Sequence, residues 1–189
     1  MEAQDADAQL MLRYAAGDGR AFEALYERNR AALWRFIRRL VGDATATDDV
    51  FQECWSRVIA SRARYRPTAR FQTWLYRIAH NCCMDHWRRS GRRAAHETAD
   101  EDAIAAAAGP ASGNPQVIVM AGENRARLDA ALARLPEEQR IAFLLYVEGG
   151  LSVAEIAEQT GTGAETAKSR LRYAVARLKQ VIGADAPAD

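Results

Sequence analysis

Apolar residues in this chain recur at intervals of three and four, the spacing of one helix face, and almost nowhere alternate with polar ones as strands require. The spacing predicts a helix over 7–16, stopped by Gly17, and a second over 20–41, with Phe22, Leu25, Tyr26, Leu33, Ile37 and Leu40 on one face and Gly42 at its end. A third opens at Thr45 or Thr47, either a good N-cap, with Asp48 and Asp49 in its first turn near the positive end of the helix dipole. Its apolar stripe is Val50, Phe51, Cys54, Trp55, Val58 and Ile59. Pro67 disfavours helix at the residue before it, so Arg64 to Thr68 is a turn. The fourth helix carries Phe71, Trp74, Leu75, Ile78 and Cys82 on its core face, with Arg77, Asn81, Asp85, Arg88 and Arg89 largely off it. These helices form one expected domain, 5–93.

Residues 94–116, rich in Ala, Gly and acids, bury too little apolar surface to offset the entropy of ordering and are expected to be a flexible linker. A second helical domain is expected over 117–182, followed by a tail, 183–189. One helix carries Leu128, Leu132 and Leu135, and another begins at Pro136 with Ile141, Leu144 and Leu145. Ser152 and Glu155 form an S-x-x-E capping box opening a short helix that ends at Gly161. A last helix, 164–182, buries Ala167, Leu171, Val175 and Leu178. The fold class is all-α, two small helical domains joined by a linker, the second containing a helix-turn-helix.

Net charge is only +1, but its distribution is uneven. Between Ser61 and Arg93 nine arginines face the single acid Asp85, whereas Ala94 to Asn124 holds five acids and no Lys or Arg. A basic block of this kind is the footprint of a polyanion-binding surface. The cysteines, Cys54, Cys82 and Cys83, offer no CxxC pair and no disulfide framework, which fits a reducing cytoplasmic setting. The N-terminal MEAQDADAQL has no apolar run and is not expected to be a signal peptide. Nothing approaches the roughly 20 apolar residues of a membrane span, so no membrane insertion is expected.

Four constellations are candidates for function. The helices either side of Gly161 follow the helix-turn-helix plan, with the basic residues clustered on the second; a solvated face on a small bundle has the same pattern. Tyr65, Phe71, Trp74, Tyr76 and Trp87 are interleaved with the arginines, which suits phosphate neutralisation and base stacking, although Phe71 and Trp74 sit at core spacing and Tyr65, in the turn, is the freer ring. Asp49, Gln52 and Glu53 share a polar helix face suited to protein docking; without a partner cluster, acid-base catalysis is not indicated. His80, Cys82, Cys83 and His86 crowd one helix, but their spread is awkward for tetrahedral zinc. No enzyme activity, metal or cofactor is expected.

The stretch DDVFQECWSRVIASRARYRPTARFQTWLYRIAHNCCMDHWRR resembles the domain of extracytoplasmic-function (ECF) sigma factors that binds core RNA polymerase and reads the −10 element. LPEEQRIAFLLYVEGGLSVAEIAEQTGTGAETAKSRLRYAVARLK is similar to their −35-reading domain. The resemblance implies that Asp48, Asp49, Gln52 and Glu53 bind polymerase. It implies that Tyr65, Arg66, Arg70 and Phe71 capture a flipped −10 base, and that Arg77, Asn81, Asp85 and Arg88 contact that strand and the adjoining duplex. On the −35 helix it places Lys168, Ser169, Arg172 and Tyr173 toward the groove and Arg170 near phosphate. Thr162, Gly163, Glu165 and Ala167 depart from the usual pattern; Glu165 either accepts from a cytosine amine or repels phosphate. Implied partners are core RNA polymerase, promoter DNA (duplex at −35, melted at −10) and an anti-sigma factor. A helix-turn-helix regulator acting without polymerase is the alternative reading.

Overall fold

A computed structural model describes residues 5–91 and 126–184, with side chains to residue 180. The linker expected over 94–116, the start of the second domain near 117 and the tail from 185 onward lie outside the described residues. Among the described residues there are helices and no strands. They divide into two compact units.

The first unit contains α1 (Ala6–Ala15), α2 (Gly19–Val41), α3 (Ala44–Ser61) and α4 (Phe71–Ser90), with a 3₁₀ turn at Arg62–Arg64. Each of the first three helices starts at an aspartate whose carboxylate accepts backbone N–H groups left over at the helix end: Asp5 for α1, Asp18 for α2 and Asp43 for α3. The cap of α3 is therefore Asp43 rather than Thr45 or Thr47. Thr47 is buried, and its hydroxyl donates to the Asp43 carbonyl at 2.5 Å. Asp48 and Asp49 consequently fall in the second turn, further from the helix dipole's positive end than the sequence suggested.

Met11, Leu25, Leu33, Phe36, Ile37, Val58, Phe71 and Leu75 fill the centre of this unit. Beside them an aromatic group from α1, α2 and α3 forms around Trp55, with Phe22 edge-on at 5.8 Å and Tyr26 at 4.9 Å. Phe22, Tyr26 and Phe51 are accordingly only half-buried. The buried face of α4 is broader than its apolar spacing indicated, taking in Tyr76, Ala79, His80, Cys83 and Trp87. A helix packed on several neighbours loses most of its solvent face, and polar residues are then buried with the rest.

The second unit contains α5 (126–133), α6 (Glu137–Val147), α7 (Val153–Thr160) and α8 (Ala164–Ala184). Ser152 and Glu155 make the reciprocal capping box at α7. Gly161, at φ 65°, then turns the chain toward α8, and the N–H of Thr162 returns to the Ala157 carbonyl at 2.9 Å. This is a helix-turn-helix. Leu132, Leu144, Leu145, Ile156, Ala167, Ala174 and Leu178 form its core. Val175 was expected there, but it is 40% exposed and Ala174 takes its place. The two positions lie one helical step apart, and the buried stripe runs through Ala167, Ala174 and Leu178.

Candidate functional site

On α3, Asp48, Asp49 and Gln52 are exposed and Glu53 is half-buried, so the polar face read from the sequence exists as a surface. Two of its carboxylates are fixed by neighbours. Asp48 accepts the indole N–H of Trp34, on α2, at 2.8 Å. Glu53 accepts from Arg57, one turn on, at 2.8 Å. Asp49 and Glu53 also line a shallow cleft with Val50, His86, Arg89 and Ser90, the last three from the end of α4.

Arg57 reaches further. Its Nη2 meets Asp85 of α4 at 2.8 Å, and Asp85 pairs through its other oxygen with Arg88 at 2.9 Å. Hydrogen bonds to Glu53 and then Asp85 hold the guanidinium's proton more tightly than usual, against the opposing effect of burial. Neither Trp34 nor Arg57 stood out in the sequence. The (i, i+4) spacing of Glu53 and Arg57 was a usable signal; the pairings across helices were not.

The loop before α4 differs from expectation. Tyr65 is not free: only 4% of it is exposed, its ring lies edge-on to Trp74 at 4.9 Å and to Phe71 at 6.2 Å, and its hydroxyl is buried without a hydrogen-bond partner. Burial, assisted by the negative charge of Asp5, pushes that hydroxyl up to about 12. Phe71 is fully buried, while Arg66 and Arg70 are exposed, with the Arg66 guanidinium donating to the Tyr65 carbonyl at 2.9 Å. Two arginines therefore flank an aromatic group packed in the core. Along α4, Asn81 and Arg88 are exposed and Arg77 and Asp85 half-buried.

On α8, Glu165, Lys168, Arg172 and Tyr173 are exposed and Ser169 is half-buried. The Arg172 guanidinium lies 5.2 Å from the Tyr173 ring centroid, a cation–π contact that leaves the charge outward. Arg170 is different: its side chain is 18% exposed and pairs with Glu138 at the start of α6, at 2.5 Å.

Of the thiol and imidazole cluster, His80, Cys82 and Cys83 are buried, together with Cys54, and His86 is half-buried at the cleft beside Glu53. A hydrogen bond with Cys82 and then burial push the Cys54 thiol up, and burial does the same to Cys83. Among the described residues no three His, Cys, Asp or Glu side chains converge on a point that could hold a metal ion. No described helix is long and apolar enough to cross a membrane.

An all-helical chain with a compact arginine-bearing unit and a separate helix-turn-helix has the plan of a sigma-type transcription initiation factor. Residues 25–93 match the family described as Sigma-70 region 2, and residues 125–178 match Sigma-70, region 4. The chain is 33% identical over 178 residues to the ECF RNA polymerase sigma factor SigM of Mycobacterium tuberculosis, covering 94% of this chain and 85% of that one. It is 32% identical over 179 residues to the RNA polymerase sigma-H factor of Pseudomonas aeruginosa, covering 90% and 91%. The structure of CnrH in complex with the cytosolic domain of CnrY superposes with a TM-score of 0.64 at 27% identity, over 96% of this chain and all of that one. The sigma factor RpoE of Bartonella quintana, solved with the anti-sigma factor NepR, shares the fold, with a TM-score of 0.64 at 23% identity over 87% and 98%. The chain belongs to the sigma-70 family, among the ECF RNA polymerase sigma factors. That membership sets aside a helix-turn-helix regulator acting without polymerase.

Proposed function

We propose that this sigma factor docks on core RNA polymerase through Asp48, Asp49, Gln52 and Glu53 of α3. It reads the −10 strand with Arg66 and Arg70, exposed beside the packed rings of Tyr65 and Phe71, and with Arg77, Asn81, Asp85 and Arg88 of α4. The −35 duplex is read with Glu165, Lys168, Ser169, Arg170, Arg172 and Tyr173 of α8. Residues 94–116 act as the tether between readers in 5–93 and 117–182. Two modest recognitions on one tether combine through effective concentration, so neither requires tight DNA affinity alone. The chain makes no bonds itself; polymerase supplies the catalysis, and both work in the cytoplasm. Opening the −10 element costs a few kcal/mol per flipped base, offset by arginine–phosphate contacts. An anti-sigma factor restrains the chain, as the complex of RpoE with the anti-sigma factor NepR suggests.

The observation that carries this reading is the separation of charge. Exposed acids on α3 suit a basic protein surface, and exposed bases on α4 and α8 suit DNA. The test is transcription in vitro with core polymerase over a genomic template pool, mapping start sites. The wild-type chain directs initiation downstream of a shared pair of upstream elements. Reversing Asp49 and Glu53 to lysine abolishes co-elution with core polymerase and with it initiation; undiminished co-elution refutes the docking role.

A further inference from the structure

Four charged side chains run from the acidic face of α3 to the arginine-bearing end of α4. Glu53 Oε1 accepts from Arg57 Nε, Arg57 Nη2 meets Asp85 Oδ2, and Asp85 Oδ1 meets Arg88 Nη1, at 2.8, 2.8 and 2.9 Å. One guanidinium is thus shared by two carboxylates, and one carboxylate by two guanidinia. The end members are the more open, with Glu53 42% and Arg88 63% exposed against 35% for Arg57 and 29% for Asp85. Glu53 faces the docking surface; Arg88 faces the strand that α4 reads.

Ion pairs this exposed add little to stability. For the same reason their partnering is redistributed at small cost. A basic group of a partner protein drawn to Glu53 weakens its hold on Arg57 and repels the guanidinium toward Asp85. Asp85, more fully neutralised by Arg57, holds Arg88 less firmly, and Arg88 becomes available to a phosphate.

We propose that Arg57 is a positioning residue through which polymerase docking at Glu53 releases Arg88 for DNA; this rests on the docking and −10 roles proposed above. The coupling is reciprocal, so DNA held by Arg88 also favours docking. It needs no change of fold, only a shift of one guanidinium between two carboxylates already in contact with it.

The bridge is testable on the free, full-length chain, binding a fluorescent single-stranded oligonucleotide at low salt. Glu53→Gln imitates neutralisation by a partner. Asp49→Asn removes the same charge from the same face, away from the bridge, and so measures the long-range field alone. Glu53→Gln is expected to tighten binding about threefold more than Asp49→Asn does. In an Arg57→Gln background the two carboxylate variants have equal effects. A Glu53→Gln effect of one size with and without Arg57 overturns the coupling. Should Arg57→Gln fail to fold, Arg57→Lys takes its place, because an ammonium keeps the charge without the fork that spans two carboxylates. The guanidinium NMR signals of Arg88 read the same event without nucleic acid: they move toward the unpaired position in Glu53→Gln, and signals that stay put overturn the coupling. Capture of core polymerase undiminished by Glu53→Gln is a different result, which removes Glu53 from the docking face while the cycle on the free chain still decides the bridge.

Discussion

The carboxylate of Asp5 accepts the backbone N–H of Phe71 at 2.5 Å, although the two residues lie 66 apart in sequence. Its other oxygen accepts from Asp7 and Ala8 at 3.1 and 3.3 Å, so one side chain caps both α1 and α4. Arg70, which precedes α4, makes no side-chain cap of its own. The N-terminal helix is thereby tied to the start of the helix proposed to read the −10 strand.

Asp5→Ala removes both caps at once and is expected to cost about 2 kcal/mol, twice the usual loss for one cap. Asp5→Asn keeps a single acceptor oxygen and loses roughly half as much. Urea unfolding of the three proteins measures the series. Equal midpoints for Asp5→Ala and wild type show that the shared cap contributes nothing.

Tyr65 sets an alkaline limit on stability. Its folded hydroxyl ionises near 12, through burial first and the charge of Asp5 second, whereas an unfolded tyrosine ionises near 10. The stabilising contribution is complete below about pH 10 and is lost as pH rises toward 12, because the unfolded chain gives up the proton first. Tyr65→Phe also removes a buried hydroxyl that has no partner, so the variant is as stable as wild type at neutral pH or more so. Its stability falls less steeply above pH 10. Tyr76, pushed up by its own burial, preserves part of the slope. An identical alkaline slope in wild type and Tyr65→Phe counts against this assignment.

The acid limb belongs in part to His80. Burial lowers its imidazole to about 4, against an opposing hydrogen bond with Asn81. An unfolded histidine titrates near 6.5, so the unfolded chain takes up a proton that the folded one declines. The contribution is whole above about pH 6.5 and disappears as pH falls toward 4, an effect of about 3 kcal/mol. His80→Leu is expected to flatten the dependence of the urea midpoint on pH across that window. If the variant keeps the wild-type slope, carboxylates alone carry the acid limb.

What could be read from the sequence was whatever depends on neighbours within one helix. Period-three and period-four spacing placed α1 to α4 and α6 to α8, and the capping box at Ser152 placed the start of α7 to the residue. What could not be read depends on which helices meet. Tyr65 stands in an arginine-rich turn, where nothing local tells that Trp74 and Phe71 enclose its ring. Trp34 and Asp48 are 14 residues apart and on different helices, so their hydrogen bond has no sequence spacing to betray it. The cap of α3 was misplaced for a smaller reason: Asp43, Thr45 and Thr47 all suit a cap, and it is the Asp43 carboxylate that accepts the N–H of Ala46. In α8, Ala174 and Val175 suit the apolar stripe equally well by spacing, and only the packed structure shows that Ala174 is the buried one.

Lys168 and Arg170 stand two residues apart on α8 and are expected to fail in different ways. Lys168 is exposed, so Lys168→Ala leaves the unfolding transition in place. It weakens −35 duplex binding by holoenzyme and, if its contact is with phosphate, lowers the slope of log affinity against log salt by about 1. Arg170 is largely covered and ion-paired with Glu138, so α6 and α8 share it. Arg170→Ala loses the packing of the guanidinium stem together with the pair, and lowers thermal stability by about 1 kcal/mol. Because Glu138 is 69% exposed, Glu138→Gln frees the arginine at little cost to the fold. That variant is expected to bind duplex more tightly and with a steeper salt slope, the opposite of Lys168→Ala. A Glu138→Gln protein with the wild-type slope shows that Arg170 braces the helix-turn-helix and takes no phosphate, and removes it from the −35 surface.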